Sequence, residues 1–358
     1  MTMRYRLLGR TGMYVSELCL GTMTFGGIGY FEKMGTLRQA AVTEQVRLAF
    51  EAGVNFIDSA NVYSYGEAER LLGQALKDLS IARDRVVIAT KGGLIMEENT
   101  PNGRGQSRYH LMHALSASLE RLQVDHIDLY QLHSFDQLTP IEETLSVLAD
   151  MVRSGMVRYI GLSNVAAWQL MKALAISERR NWPRFECIQV YYTIAGRDVE
   201  RELVPLVRDQ QVGLTVWSPL AGGLLSGKFS AQEQGPAGAR RAQFDFPIVD
   251  KARAFQCVDA MRTIATRSGA TVSQIALAWL LSRPWVSSVI VGAKTTDQLR
   301  ENLAAADVEL NAEDLAVLDE VSRLPPEYPG WMFEFQGRYR ATPPVHEQAL
   351  PDDNPPRK

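Results

Sequence analysis

Apolar residues along the chain alternate between two spacings. Short runs such as Phe56-Ile57 and Val86 to Ala89 are continuously apolar, as in strands buried on both faces. Between such runs, apolar residues recur at helical spacing. Val46, Leu48, Ala49 and Phe50 mark the inward face of the first helix, and Leu111, Leu115, Leu119 and Leu122 that of the third. Eight strand–helix pairs can be counted. Their strands are predicted near Leu18–Gly21, Asn55–Asp58, Val86–Lys91, Ile127–His133, Tyr159–Ser163, Ile188–Tyr192, Leu214–Ser218 and Ser288–Val291. Strict alternation predicts a parallel α/β sheet, and eight pairs predict its closure into a (β/α)8 TIM barrel. Ahead of the first pair, Tyr5 to Gly9 and Met13 to Val15 flank Arg10-Thr11-Gly12, which reads as an N-terminal β-hairpin.

Three segments interrupt this rhythm: Gly92 to Arg108, Ala221 to Asp250 and Pro325 to Lys358. Loops this long in a compact domain are usually functional or disordered. The first two leave the carboxyl ends of strands, the edge of a parallel α/β fold where chemistry is done. The third carries the aromatic residues Trp331, Phe333, Phe335 and Tyr339 and ends in Pro351-Asp352-Asp353-Asn354-Pro355-Pro356. The expected organisation is one barrel domain over residues 1–340 and a disordered tail over 341–358.

Candidate chemistry gathers at that edge. Asp58 and Lys91 each close a predicted strand, Tyr63 follows the first of these, and His133 ends Ile127 to Leu132. A free phenol has a pKa of about 10 and is a poor proton donor at neutral pH. A neighbouring ammonium is expected to lower that value, and a carboxylate to hold the ammonium in place. Tyr63, Lys91 and Asp58 therefore read as a general acid, its tuner and the tuner's anchor, with His133 placed to orient a carbonyl oxygen. Each residue alone has an ordinary explanation, since a Tyr after a strand packs and an Asp there caps a helix. Four polar residues at the same end of three strands ask for a shared one.

Phe56-Ile57-Asp58-Ser59-Ala60-Asn61-Val62-Tyr63-Ser64-Tyr65-Gly66-Glu67-Ala68-Glu69, with Thr90-Lys91 and Gln131-Leu132-His133, resembles the aldo-keto reductase family. The resemblance runs from about Tyr5 to about Asn302 and is nearest to the bacterial members and the potassium-channel beta subunits. It implies an NADPH-dependent oxidoreductase that reduces an aldehyde or ketone to an alcohol, with Asp58, Tyr63, Lys91 and His133 catalytic. It also implies the cofactor contacts. Ser163, Asn164 and Gln189 would hold the nicotinamide carboxamide, with Thr22, Met23 and Asp58 beside it, and Trp217 would stack on the ring. Ser218, Pro219, Leu220, Gly222, Gly227 and Lys228 would strap the pyrophosphate, where glycines let the backbone approach phosphate. Gly292, Lys294, Gln298, Glu301 and Asn302 would form the adenosine site, Lys294 meeting a ribose 2′-phosphate with help from Arg240 and Arg241. The sequence departs from the family where Val291 precedes Gly292 and Lys294 stands for an arginine. Tyr30, Phe31, Trp331 and Phe333 suggest aromatic walls around a bulky or apolar substrate.

Composition narrows the alternatives. The 358 residues are 46% hydrophobic and carry a formal charge of −3, which offers no particular attraction to nucleic acid. Cys19, Cys187 and Cys257 are widely spaced and form neither a metal-ligand cluster nor a disulfide framework. Met1 to Arg10 lacks a signal-peptide core, and no run approaches the ~20 apolar residues of a membrane span, so a cytoplasmic protein with a small-molecule substrate is expected. Gly222 to Lys228 nearly spells a P-loop, but Phe229 stands where the magnesium-binding hydroxyl belongs. Gly26-Gly27-Ile28-Gly29 lacks the third glycine of a Rossmann fingerprint. A redox-sensing regulatory subunit of the same fold remains as the alternative function. A metal-dependent barrel built on His110 and His113 is weaker, because no carboxylate is spaced to complete a site.

Overall fold

The structure, a computed structural model, describes residues 3–230, 235–236 and 239–340. The chain divides into two compact units, Met1–Ser322 and Arg323–Lys358. The division thus falls at Ser322, ahead of the boundary expected at residue 340. In the first unit, β1 (Tyr5–Leu7) and β2 (Tyr14–Ser16) pair as an antiparallel hairpin. Eight further strands close a parallel barrel: β3 (Leu18–Gly21), β4 (Phe56–Asp58), β5 (Val87–Gly92), β6 (Ile127–Leu132), β7 (Val157–Ser163), β8 (Phe185–Tyr191), β9 (Gly213–Trp217) and β10 (Ser288–Val291). Each pairs with the next, and β10 returns to β3 with Ile290 opposite Cys19. β7 and β8 begin earlier than predicted, at Val157 and Phe185 rather than Tyr159 and Ile188. Arg158 and Glu186 lie in these extensions outside the fully buried part of the strand, so polarity hid them from the hydrophobic pattern.

Strand side chains alternate between barrel interior and helical shell. Outward residues such as Ile57, Ile88, Leu132 and Ile188 join one large core with the helices. The predicted helix faces lie there too. Val46, Ala49, Leu111, Leu115 and Leu122 are buried, and Leu48, Phe50 and Leu119 are partly so. Inside the barrel a separate apolar cluster joins Cys19, Phe56, Ala89, Leu129, Cys187 and Ile290 to Leu8 and Val15 of the hairpin. The hairpin is anchored by Arg6, whose guanidinium donates to the carbonyls of Leu281 at 2.5 Å and Val286 at 2.8 Å and pairs with Glu17. Two residues beyond Phe56, Ala89, Leu129 and Cys187 on their strands stand Asp58, Lys91, Gln131 and Gln189, all buried. The barrel interior is therefore layered, apolar near the hairpin and polar at the carboxyl ends.

In the second unit the described residues form one helix, Gly330–Arg340, with Phe335 and Tyr339 in edge contact at 5.2 Å. The tail expected to be disordered, 341–358, lies outside the described residues, as do 231–234 and 237–238 of the loop after β9. No described helix is long and apolar enough to cross a membrane.

Candidate active site

The polar layer centres on the Asp58 carboxylate. Lys91 Nζ donates to Asp58 Oδ2 at 2.6 Å and to the Ser59 carbonyl at 2.8 Å, with no part of the lysine exposed. Burying an ion pair costs more than it returns unless hydrogen bonds satisfy the remaining lone pairs. Here Gln189 Nε2 at 2.8 Å and Gln131 Nε2 at 3.0 Å both donate to Asp58 Oδ1. Burial, the largest influence on Lys91, works against its ammonium, but Asp58 and then Tyr63 together outweigh it and raise its pKa. Lys91 is therefore a fixed positive charge at neutral pH.

Gln131 entered the sequence reading only within the Gln131-Leu132-His133 match, without a role of its own. The available signal was its register, two residues beyond Leu129 and directly opposite Lys91. Gly161 makes room for it, since a Cβ there would lie 3.0 Å from Gln131 Cγ and 3.1 Å from the Cys187 carbonyl. Gln131→Leu is expected to lower stability by about 1.5–3 kcal/mol, the usual worth of a hydrogen bond to a charged group. Urea unfolding checks this, and an unchanged midpoint would mean that Gln189 alone satisfies the carboxylate.

Tyr63 stands on a strained turn. Ser64, Tyr65 and Gly66 take φ of 49°, 55° and 93°, three left-handed residues in succession. For a residue other than glycine, that conformation persists only when the surroundings over-determine it. Ser64 supplies the constraint, another role absent from the sequence reading. Its buried hydroxyl donates to the Phe25 carbonyl at 2.7 Å and accepts from Gly27 N at 2.9 Å, clamping the turn to the loop after β3. The Tyr63 ring then meets Phe31 and His133, with centroids 5.8 Å away in each case. Lys91 Nζ lies 5.2 Å from its centroid.

One expectation is corrected here. Lys91 does pull the Tyr63 pKa down, but burial is the larger influence and Asp58 adds to it, so the net shift is upward. The lysine offsets part of the burial effect without reversing it, and Tyr63 holds its proton throughout the neutral range. His133 is neutral there too: burial first, and Lys91 second, hold its pKa well below the usual imidazole value. Its Nδ1 is buried without a partner among the described residues, and its carbonyl accepts from Asn164 Nδ2 at 3.0 Å. The site thus presents a protonated phenol, a neutral imidazole and a buried ammonium.

These groups open into one cavity of about 870 Å³, whose wall includes Asp58, Tyr63 and His133. Every residue expected from the resemblance to touch the cofactor lies in that wall except Gly227 and Arg241, and so do Tyr30 and Phe31. Trp331 and Phe333 belong to the helix of the second unit. Arg241 is buried. It donates to the carbonyls of Ala221 at 2.6 Å and Pro247 at 2.7 Å and pairs with Asp245 at 2.9 Å, so its donors hold the loop together. Gly222, at φ 66°, brings the strap close: a Cβ there would meet the Phe246 carbonyl at 2.5 Å. His110 is likewise structural, its Nδ1 bonding the Asn102 carbonyl at 3.1 Å.

Several observations bear on whether a nicotinamide dinucleotide fits. Trp217 is held by its Nε1–H on Asn164 Oδ1 at 3.1 Å, with Tyr191 packed against it at 5.1 Å. Gln189 uses its amide N–H on Asp58, which leaves its carbonyl oxygen as an acceptor in the cavity wall. Asn164 is already engaged at both ends, by His133 and by Trp217. Lys294 and Arg240 both line the wall, and Arg240 acts on Tyr63 as well as on Lys294. Burial first, then Arg240, lowers the Lys294 pKa, and burial also lowers that of Arg240. Arg240 Nε is buried with no partner among the described residues. Two partly desolvated cations in one cavity wall suit an anion such as phosphate.

The sequence matches the aldo/keto reductase family over residues 17–323. It is 37% identical over 326 residues to an uncharacterized oxidoreductase of Bacillus subtilis, covering 89% of this chain and 96% of that protein. A probable voltage-gated potassium channel subunit beta of Oryza sativa is 37% identical over 314 residues, covering 86% and 92% respectively. Versiconal hemiacetal acetate reductase of Aspergillus parasiticus is 35% identical over 345 residues, covering 89% and 96%.

Proposed function

The chain belongs to the aldo/keto reductase family, and from that premise we propose that it reduces an aldehyde or ketone to an alcohol with NADPH, using Tyr63 as the proton donor. The observation that carries this reading is the protonated Tyr63 phenol beside a buried ammonium, with Lys91 Nζ 5.2 Å from its ring and 2.6 Å from Asp58. NADPH, when bound, supplies the hydride that reaches the carbonyl carbon. Tyr63 gives its proton to the carbonyl oxygen as negative charge develops there, so that one hydride and one proton complete the alcohol. Lys91 stabilises the phenolate that remains, and Asp58, held by Gln131 and Gln189, keeps Lys91 charged and in place. His133 offers a neutral N–H to the same oxygen. Alcohol oxidation uses the same groups in reverse. Loss of NADPH absorbance on addition of an aldehyde, ketone or quinone panel tests the reading.

The preference for NADPH rests on Lys294 and Arg240. A charged hydrogen bond is worth about 1.5–3 kcal/mol, about ten- to a hundredfold in affinity. Lys294→Ala is expected to weaken NADPH binding by that factor and to leave NADH binding nearly unchanged, as followed by quenching of Trp217 fluorescence. Equal weakening of both cofactors would show that Lys294 supports the loop rather than the phosphate. The similarity to a probable potassium channel subunit beta keeps a second reading, a redox-sensing subunit with slow turnover. Turnover of the carbonyl panel separates the two.

A further inference from the structure

Resting on the reading of the site as a carbonyl reductase, we propose that it selects planar aryl carbonyl compounds over short aliphatic and polyhydroxylated ones, and that Phe31 and Phe244 set this preference. Phe31 and Met34 are buried with Ala60 and Val62 in an apolar cluster of their own, distinct from the barrel core. Met23, Tyr63, Leu94, Met96 and Phe244 pack against it. The cluster draws on the loops after β3, β4, β5 and β9, and Tyr63 packs against it.

An arc of rings continues from it along the cavity wall. Phe31 meets Tyr30 at 5.4 Å and 87°, and Tyr30 meets Phe244 at 5.6 Å and 87°. Phe244 meets Phe246 at 5.5 Å, and Phe246 lies parallel to Trp217 at 6.0 Å. The acid and the Trp217 indole are thus joined by aromatic edges and faces. These favour a flat ring in offset or edge-to-face contact.

The polar exceptions on the first three loops are few, the tyrosines apart. Thr22 donates its hydroxyl to Ser59 at 2.8 Å, and Glu98 is exposed on the outer loop, which leaves Thr24. On the fourth loop Arg240 adds a cation within reach of Tyr30 and Tyr63, so a sugar-like aldehyde would lose water from several hydroxyls and find few partners besides it, a loss of free energy for each group left unpaired. Met23, Met34 and Met96 add flexible thioethers that adapt to rings of different outline. The wall therefore discriminates by flatness and polarity more than by one ring shape.

The test uses the full-length protein with saturating NADPH and compares kcat/KM for 2-naphthaldehyde, propanal and glyceraldehyde, each corrected for hydration. A single methylene in an apolar pocket is worth about ten- to two-hundredfold, so 2-naphthaldehyde is expected to exceed propanal by about a hundredfold or more, with glyceraldehyde lowest. Phe31→Ala and Phe244→Ala are each expected to reduce the naphthaldehyde-to-propanal ratio by about tenfold or more. Phe244 does not touch Tyr63 through the ring contacts above, so it carries the test if Phe31→Ala fails to fold. Preference for glyceraldehyde, or a ratio unmoved by either substitution, overturns the inference and leaves the reductase reading standing. Absence of turnover with every carbonyl overturns both.

Discussion

Tyr63→Phe is expected to lower the rate of carbonyl reduction by about 10²–10⁴-fold, the usual contribution of a positioned general acid. The substitution removes one oxygen and keeps the ring. Its edge contacts with Phe31 and His133 survive, so the fold and the cavity survive with them. NADPH affinity should therefore remain close to that of the wild type, and the whole loss should appear in kcat. The direction of the Tyr63 pKa sharpens the expectation. Burial raises it above the ordinary phenol value, so the wild-type rate should be flat across neutral pH, because the donor is protonated throughout. A variant that reduces aldehydes at the wild-type rate would remove Tyr63 from the mechanism.

Lys91→Met is expected to reduce both turnover and stability. Lys91 is the largest influence holding the Tyr63 pKa down against burial. Without it the phenol becomes a weaker acid and the phenolate left behind loses its main countercharge, Arg240 being the smaller influence. A loss of about a hundredfold or more in kcat should follow. The Asp58 carboxylate meanwhile stays buried with only the Gln131 and Gln189 amides on it. Breaking a buried pair by removing one partner typically costs about 3–5 kcal/mol, which a urea unfolding curve resolves. The double variant Lys91→Met, Asp58→Asn separates the two effects. It should recover much of the stability and none of the turnover. Recovery of turnover would mean that Lys91 serves only to neutralise Asp58.

Much of this arrangement was legible in the sequence, for physical reasons. Strands buried on both faces must be continuously apolar, so runs such as Val86 to Ala89 stood out, and polar residues at their ends stood out against them. Closure of eight such strands brings Asp58, Tyr63 and His133 to one cavity, with Lys91 buried behind them against Asp58. Other features lie outside what a linear pattern encodes. Gln131 belongs to the polar layer only through its register against Lys91 across the barrel. Ser64 acts through hydrogen bonds to Phe25 and Gly27, far away in sequence. Arg240 and Arg241 are adjacent and chemically alike, yet Arg241 is engaged by the Ala221 and Pro247 carbonyls while Arg240 lies in the cavity wall. The direction of the Tyr63 pKa depends on how deeply the folded chain buries the phenol relative to the pull of Lys91, which no linear pattern encodes.

The central claim is that this cavity passes a hydride to a carbonyl while Tyr63 supplies the proton. A single-turnover experiment with NADPH deuterated at the transferable C4 position, mixed with excess aldehyde and followed by cofactor absorbance, tests it most directly. The account predicts oxidation of one full equivalent of cofactor at a rate in the usual enzymatic range, above about 1 s⁻¹, and a product alcohol carrying the deuterium on its former carbonyl carbon. Cofactor that stays reduced with every carbonyl offered, or an alcohol without deuterium, would contradict it.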